Sequence, residues 1–281
     1  MATRIKKLEL PQIKGYTFNK EKHVHALDGK PLTGVTTILS VIAKPMLIQW
    51  AANMACDYIS NYVAEKWSNS YEAGSDTYLA ELLPVLKEAR TAHRKKKEAA
   101  GDWGTDVHSF VEQAIKKSMA VSGEFLYENF NDANSDEFHT QGVNEKIQEV
   151  FNHFCNWANQ NKVKFLASEK NVWSEKMWVG GICDIICEID GKRYVGDIKT
   201  SSGIYPEHFI QASAYAQMLT EMKEYEPNQN PEFETAFDGV VIINLKKDGT
   251  FDYQYNYDVE GNFNCFKAAL TLYRHLNAIT K

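Results

Sequence analysis

Apolar positions along this chain follow two periods, and the switches between them divide it into elements. Helical spacing is clearest in Val143 to Asn161, where Ile147, Val150, Phe151 and Phe154 recur at i, i+3, i+4 and i+7 and share one helix face. Glu207 to Lys223 and Asn262 to Ile279 also read as helices. The former follows Pro206, which suits a first helical turn because it has no N–H to leave unbonded. Upstream, Ile38 to Tyr62 has helical spacing broken at Pro45, and Tyr78 to Ala100 is a charged helix with Pro84 near its start. Thr105 or Asp106 caps the next helix, which reaches about Met119. Strand patterns occupy Phe165 to Trp173, Phe237 to Leu245 and Phe251 to Tyr257. Tyr16 to Leu27 alternates more loosely before an Asp28-Gly29 turn, and Thr33 to Ser40 is a β-branched stretch. Trp67 to Ser75, Gly123 to Gly142 and Glu224 to Glu234 are polar and read as loops. This order predicts an α/β protein with a mixed sheet and helices around it.

The most informative pattern is a hairpin. Gly180 to Ile189 is a β-branched apolar run, Asp190-Gly191 follows, and Lys192 to Thr200 is a second run. An Asp-Gly pair between two such runs marks a two-residue turn. That turn places Ile189 opposite Lys192, Glu188 opposite Arg193 and Asp184 opposite Asp197. The Glu188–Arg193 pair favours the register, and Cys183, Ile185, Cys187, Tyr194 and Ile198 fall together on the apolar face. Two opposed carboxylates have Cβ atoms roughly 5 Å apart and repel, so something must compensate. A hard cation such as Mg²⁺ prefers oxygen ligands and is commonly held by one or two carboxylates. Lys199, two residues past Asp197, lies on the same strand face. A cation beside an ammonium suits attack on an anionic phosphodiester. An ordinary surface hairpin could carry the same three residues on its polar face.

Composition narrows the class. No apolar run approaches the length of a membrane-spanning helix, and Met1 to Gly15 lacks the apolar core of a secretory signal. Five cysteines without a framework spacing point to a reducing, cytosol-like compartment, with Cys183 and Cys187 as core residues. No phosphate-loop motif is present, which argues against an intrinsic NTPase motor. A net charge of −6 gives no global electrostatic case for nucleic acid. Locally, Lys87, Arg90, His93, Arg94, Lys95, Lys96 and Lys97 face only Glu88, either as a solvated helix face or as a phosphate-contacting one.

Two helical pairs remain. His108 and Glu112 are one turn apart, and a histidine can ligate metal or contact phosphate while a carboxylate fixes its tautomer. Gln211 and Tyr215 are likewise one turn apart on the helix after the hairpin. Spacing alone favours ordinary surface pairs for both, and an ordinary surface charge for Glu169.

Taken in order, however, these residues resemble a known family. Gly104-Thr105-x-x-His108-x-x-x-Glu112, Glu169, Gly181-x-x-Asp184, Asp197-Ile198-Lys199-Thr200 and Gln211-x-x-x-Tyr215 are similar to the motifs of the RecB-like branch of the PD-(D/E)XK nuclease superfamily. The nearest flavour is the stand-alone phage-type and mitochondrial-maintenance-type exonucleases. Less specifically, His23 to Gly29, Gly34 to Leu39 and Trp50 are similar to the N-terminal region of such phage proteins.

The resemblance implies a restriction-endonuclease-like fold with a central mixed sheet flanked by helices. Residues 101–281 would form the nuclease core. Residues 1–100 would form a strand and helical region packed on it and contacting DNA ends. Asp184, Asp197, the Ile198 carbonyl and His108 would hold Mg²⁺ or Mn²⁺. Lys199 would position or activate the attacking water, and Glu169 would support the site or ligate a second ion. Gln211 and Tyr215 would support the site, Tyr215 and Thr200 would meet the nucleic-acid backbone, and Arg94, Lys95, Lys96 and Lys97 would add phosphate contacts. No iron–sulfur cluster is expected, since the cysteine quartet of cluster-bearing members is missing. The implied activity is a metal-dependent DNA exonuclease on single-stranded or resected ends in replication, recombination or repair. It would act in the cytoplasm of a bacterial or phage-infected cell, away from membranes, alone or with a separate recombinase, helicase or single-strand-binding protein. A structure-selective endonuclease of the same fold, or a catalytically silent binding protein, are the alternatives.

Overall fold

The Asp190-Gly191 turn sets the centre of the fold. Both residues have positive φ, 51° and 72°, the type I′ geometry whose twist matches flanking strands. It joins β6 (Val179–Ile189) to β7 (Lys192–Lys199) in the register expected from the sequence, with Ile189 opposite Lys192 and Glu188 opposite Arg193. The computed structural model describes residues 15–42, 44–67, 76–121, 145–225 and 236–279. The three polar loops expected from the sequence lie almost wholly outside them.

Around the hairpin the chain builds an α/β unit with a mixed six-stranded sheet flanked by helices. β5 (Lys164–Ser174) pairs antiparallel with one edge of β6. β8 (Gly239–Leu245) runs parallel to β7, and β9 (Phe251–Asn256) runs antiparallel to β8. A parallel neighbour needs a crossover, and helix α6 (Pro206–Tyr225) supplies it. Ala212, Ser213, Ala214, Tyr215, Ala216, Met218, Leu219 and Met222 are all buried on α6, so it is covered on nearly every side, by the sheet and by α7 (Val259–Ile279). Asp258 caps α7, its Oδ1 accepting the Gly261 N–H at 2.9 Å. Helix α5 (Glu145–Gln160) packs its Val150, Phe151, Phe154 and Trp157 face inward, near β8 and β9.

The N-terminal segment joins this unit. β1 (Tyr16–Asn19), β2 (Val24–Leu27) and β3 (Lys30–Pro31) form a small antiparallel sheet, so the loose alternation of Tyr16 to Leu27 is two strands and a turn. β4 (Thr33–Gly34) then pairs parallel with Val179 and Gly180 of β6. The rest of the β-branched stretch is helical: α1 (Val35–Leu39) buries Val35, Ile38 and Leu39 at i, i+3 and i+4, and that burial overrides propensity.

The chain separates into two compact units, residues 1–41 with 109–281, and residues 42–108, rather than at residue 100 as the sequence suggested. Long-range pairing of β4 with β6 holds the N-terminal strands to the sheet unit, which no local pattern announces. The second unit holds α2 (Pro45–Trp67), α3 (Asp76–Ala89) and the first part of α4 (Ala92–Val121). The helical spacing of Ile38 to Tyr62 is interrupted where expected: α1 ends at Leu39 and Pro45 opens α2 as its first residue.

Helix boundaries here differ from the sequence reading. The chain breaks at Arg90-Thr91, inside the helix expected over Tyr78 to Ala100, where the Thr91 hydroxyl donates to the Glu88 carbonyl. It does not break at Gly104. There Thr105 caps nothing; its hydroxyl donates to the Gly101 carbonyl at 3.0 Å inside the continuous helix α4. Glycines at 101 and 104 each cost about 1 kcal/mol relative to alanine. The buried stripe of Trp103, Val107, Val111, Ala114 and Ile115 carries the helix through them.

Candidate active site

The site begins where the β6–β7 ladder ends. Pairing runs from the turn to Ile185 opposite Gly196 and stops one step short of Asp184 and Asp197. β4 meets β6 at Val179–Gly180 and β7 meets it at Ile185–Ile189. Because β5 holds the opposite edge throughout, β4 and β7 share one edge of β6 and diverge beside Gly181–Asp184. Continuing the ladder would present the Ile198 N–H to a carbonyl of β6. Instead the Asp184 Oδ2 accepts it at 2.8 Å.

On the other edge, Lys170 pairs with Cys183 and Ser168 with Ile185, so Glu169 stands level with Asp184. Neither the Glu169–Asp184 nor the Asp184–Asp197 pair is made in the ladders, but the registers beside them bring the three acids to one level of three adjacent strands. Glu169 has φ of 50°, a left-handed backbone that a β-strand glutamate rarely adopts, and its own pair is missing from the ladder. Burial pushes its carboxyl up to about 8, with the charges of Asp184 and then Glu112 adding to the effect.

Asp197 is fully buried. Its Oδ1 accepts from Gln211 Nε2 at 3.1 Å, and the same nitrogen donates to the Tyr215 hydroxyl at 3.1 Å. Its Oδ2 lies 2.5 Å from Lys199 Nζ but receives no hydrogen bond of good geometry. Burial raises the Asp197 carboxyl, Lys199 opposes the rise, and Asp184 adds to it. Burial works against the Lys199 ammonium, but Asp197 and Asp184 more than offset it, so the lysine stays charged. Lys199 Nζ also donates to Gln211 Oε1 at 3.4 Å.

The Tyr215 ring sits close against the backbone of β6. A Cβ at Gly181 would come within 2.5 Å of its Cε1, so the glycine admits the ring. Burial raises the Tyr215 hydroxyl far above its ordinary range, keeping it neutral.

One ligand atom from each of His108, Glu169 and Asp184 lies within 4.8 Å of the other two, and this group could hold a metal ion. His108 lies on α4. Imidazole nitrogen and carboxylate oxygens fit a divalent transition ion or Mg²⁺. The composition of the group differs from the sequence expectation. Glu169 stands in it, while Asp197 is turned to Lys199 and Gln211. Glu112, considered as a partner for His108, forms an ion pair with Lys116. Thr200 lies just past β7, half-buried.

The basic stretch is partly neutralised within its own unit: Lys95 pairs with Glu88, and Arg94 lies 3.8 Å from Glu98. Lys96 and Lys97 are exposed.

Two neighbours of the site went unread in the sequence. His208 is buried one turn before Gln211, its Nδ1 accepting the Tyr205 N–H at 3.2 Å, and its charge acts on Asp197. The i, i+3, i+7 spacing of His208, Gln211 and Tyr215 was the available signal. Asn244 is the polar residue in the otherwise apolar run Gly239–Leu245, and it lies beside Lys199 in the parallel register.

Fold and site together define an α/β protein with an acidic, lysine-bearing centre in its sheet and a His/Glu/Asp group that could hold a metal ion. No protein-family model matches the chain, and no curated protein does. No helix among the described residues is long and apolar enough to cross a membrane.

Proposed function

We propose that this protein is a Mg²⁺- or Mn²⁺-dependent deoxyribonuclease of the RecB-like PD-(D/E)XK type, with a restriction-endonuclease-like core, acting as an exonuclease on DNA ends. The observation that carries this reading is the row of Glu169, Asp184 and Asp197 across three strands, with Lys199 paired to Asp197. Asp184, with Glu169 and His108, would hold the ion, joined by Asp197 and the Ile198 carbonyl as the resemblance implies. A divalent cation bound there supplies charge that makes water a nucleophile at neutral pH and offsets a phosphodiester's negative charge.

The chain's own residues do the rest. Asp184 ties down the Ile198 backbone, which fixes the spacing of Asp197 and Lys199. Gln211 holds Asp197 and Tyr215 at once, so α6 sets the carboxylate's orientation. The Lys199 ammonium orients the attacking water and balances charge that builds on the phosphoryl oxygens. The water oxygen bonds to phosphorus as the opposite P–O bond breaks, the water gives up its proton to solvent, and the leaving oxygen takes one up. Lys96 and Lys97 would meet phosphates, and a separate recombinase, helicase or single-strand-binding protein is a fitting partner.

The test compares wild type, Asp197→Ala and Lys199→Ala on end-labelled linear and circular DNA with Mg²⁺, Mn²⁺ or EDTA. Metal-dependent loss of linear DNA with wild type, reduced at least about a hundredfold in either folded variant, supports the reading. Cleavage of circles makes it an endonuclease. Full activity in both variants rejects the site, and no cleavage by folded wild type points to a silent binding protein.

A further inference from the structure

Asn244 is wholly buried, yet neither its Oδ1 nor its Nδ2 has a hydrogen-bond partner. A buried amide left unmatched is costly, and it calls for a partner that arrives in some other state of the protein. Its place in the sheet indicates which. Asn244 pairs in register with Lys199 on the parallel neighbour strand, and Asp197 pairs with Ile242 two steps before. Residues paired in register point to the same face, so Asn244 and Lys199 stand side by side, about 4.8 Å apart at the backbone. The Lys199 ammonium leans back along β7 to Asp197 Oδ2 and reaches Gln211 Oε1.

We infer that Asn244 is the second seat of the Lys199 ammonium: when a divalent cation claims the Asp197 carboxylate, the lysine moves to Asn244 Oδ1. This rests on the proposed cation site. Two positive charges cannot share Asp197 Oδ2 cheaply at short range. An ammonium has three donors and must keep acceptors when it lets one go. Gln211 retains one, and the Asn244 carbonyl oxygen supplies the other. The lysine then stays on the site face without competing for the cation's ligand. Asn244 is therefore a positioning residue, acting through Lys199.

The experiment measures Mn²⁺ binding by calorimetry in wild type, Asn244→Leu, Lys199→Met and the double variant, with melting temperatures in EDTA. Asn244→Leu keeps the shape and removes the acceptor. It should weaken Mn²⁺ binding roughly tenfold in the wild-type background and hardly at all beside Lys199→Met. Its EDTA melting temperature should equal or exceed that of wild type, because an unpaired buried amide has been replaced by apolar atoms. Asn244→Ala is the fallback should leucine misfold, with the same loss of affinity expected. Equal Mn²⁺ affinity in wild type and Asn244→Leu overturns the inference and leaves the cation site standing. A tenfold loss that persists beside Lys199→Met also overturns it, since the effect would not pass through the lysine. Absence of Mn²⁺ binding in folded wild type overturns both the cation site and this role.

Discussion

Asp184 accepts the backbone N–H of Ile198 through Oδ2 at 2.8 Å, so a carboxylate completes the strand ladder where a carbonyl would ordinarily stand. The side chain thereby locks the segment that carries Asp197 and Lys199, and one of its oxygens lies within 4.8 Å of ligand atoms of Glu169 and His108. Three carboxylates held this close repel one another, and that repulsion is what a bound cation would relieve.

Thermal stability should therefore respond to divalent ions. At a hundred times the dissociation constant, Mg²⁺ or Mn²⁺ should stabilise the sheet unit by about 2.7 kcal/mol, reversed by EDTA. Asp184→Asn should lose most of that shift. Scanning calorimetry with and without ion checks it, and an equal ion-induced shift in the variant would count against the site.

Gly181 carries a second expectation. A methyl group there meets the Tyr215 ring at 2.5 Å, and Tyr215 shares Gln211 with Asp197. Gly181→Ala should cost about 1–3 kcal/mol by overpacking. Cleavage should fall further than unfolding explains, as Gln211 is displaced. Gly181→Ala combined with Tyr215→Phe tells little, whereas Gly181→Ala with Tyr215→Leu should recover stability. Urea denaturation of the three proteins measures it, and an unperturbed Gly181→Ala would contradict the packing.

The pH dependence of stability should show His25. Its ring is buried, Nδ1 lies 2.6 Å from the Tyr16 hydroxyl, and the Phe18 ring stacks on it at 4.6 Å. Burial, helped by the charge of His23, lowers it from 6.5 to about 4. The unfolded chain then binds a proton that the folded chain refuses. The contribution is complete above pH 6.5 and is lost as pH falls from 6.5 towards about 4. A loss on the order of 1–3 kcal/mol over that window is expected, and His25→Gln should flatten it. Denaturant melts at a series of pH values decide the matter; parallel curves for both proteins would refute it.

Neutralising Arg94, Lys95, Lys96 and Lys97 together should weaken DNA binding and flatten its salt dependence. Lys95 and Arg94 already face Glu88 and Glu98. The change in salt slope should thus be nearer about 2 than about 4. Fluorescence anisotropy against salt concentration measures it, and an unchanged slope would mark this helix as merely solvated.

Much of the sheet was legible because its signals are local. The Asp-Gly turn fixes the β6–β7 register through adjacent residues, and the apolar face of Cys183, Ile185, Cys187, Tyr194 and Ile198 is buried as its alternation requires. All five cysteines are unpaired, with Cys155, Cys183 and Cys187 in the interior. The helix boundaries around residues 90 and 104 were misread. A threonine hydroxyl bonding back to a carbonyl and a buried stripe outweigh glycine's local preference, and neither is visible without the fold.

The candidate site divides the same way. Period and turn chemistry act over a few residues, so they specify the hairpin and the one-turn pairing of Gln211 with Tyr215, and they extrapolate to Asp184 opposite Asp197, one step past where the ladder ends. Long-range packing brings Glu169 to Asp184 from the far edge of β6, turns Asp197 to Lys199 and Gln211, and sets Asn244 beside Lys199. Those placements depend on which strand lies next to which and on where burial strips water from charged groups. Both are settled by packing the whole sheet, not by any neighbouring stretch of chain.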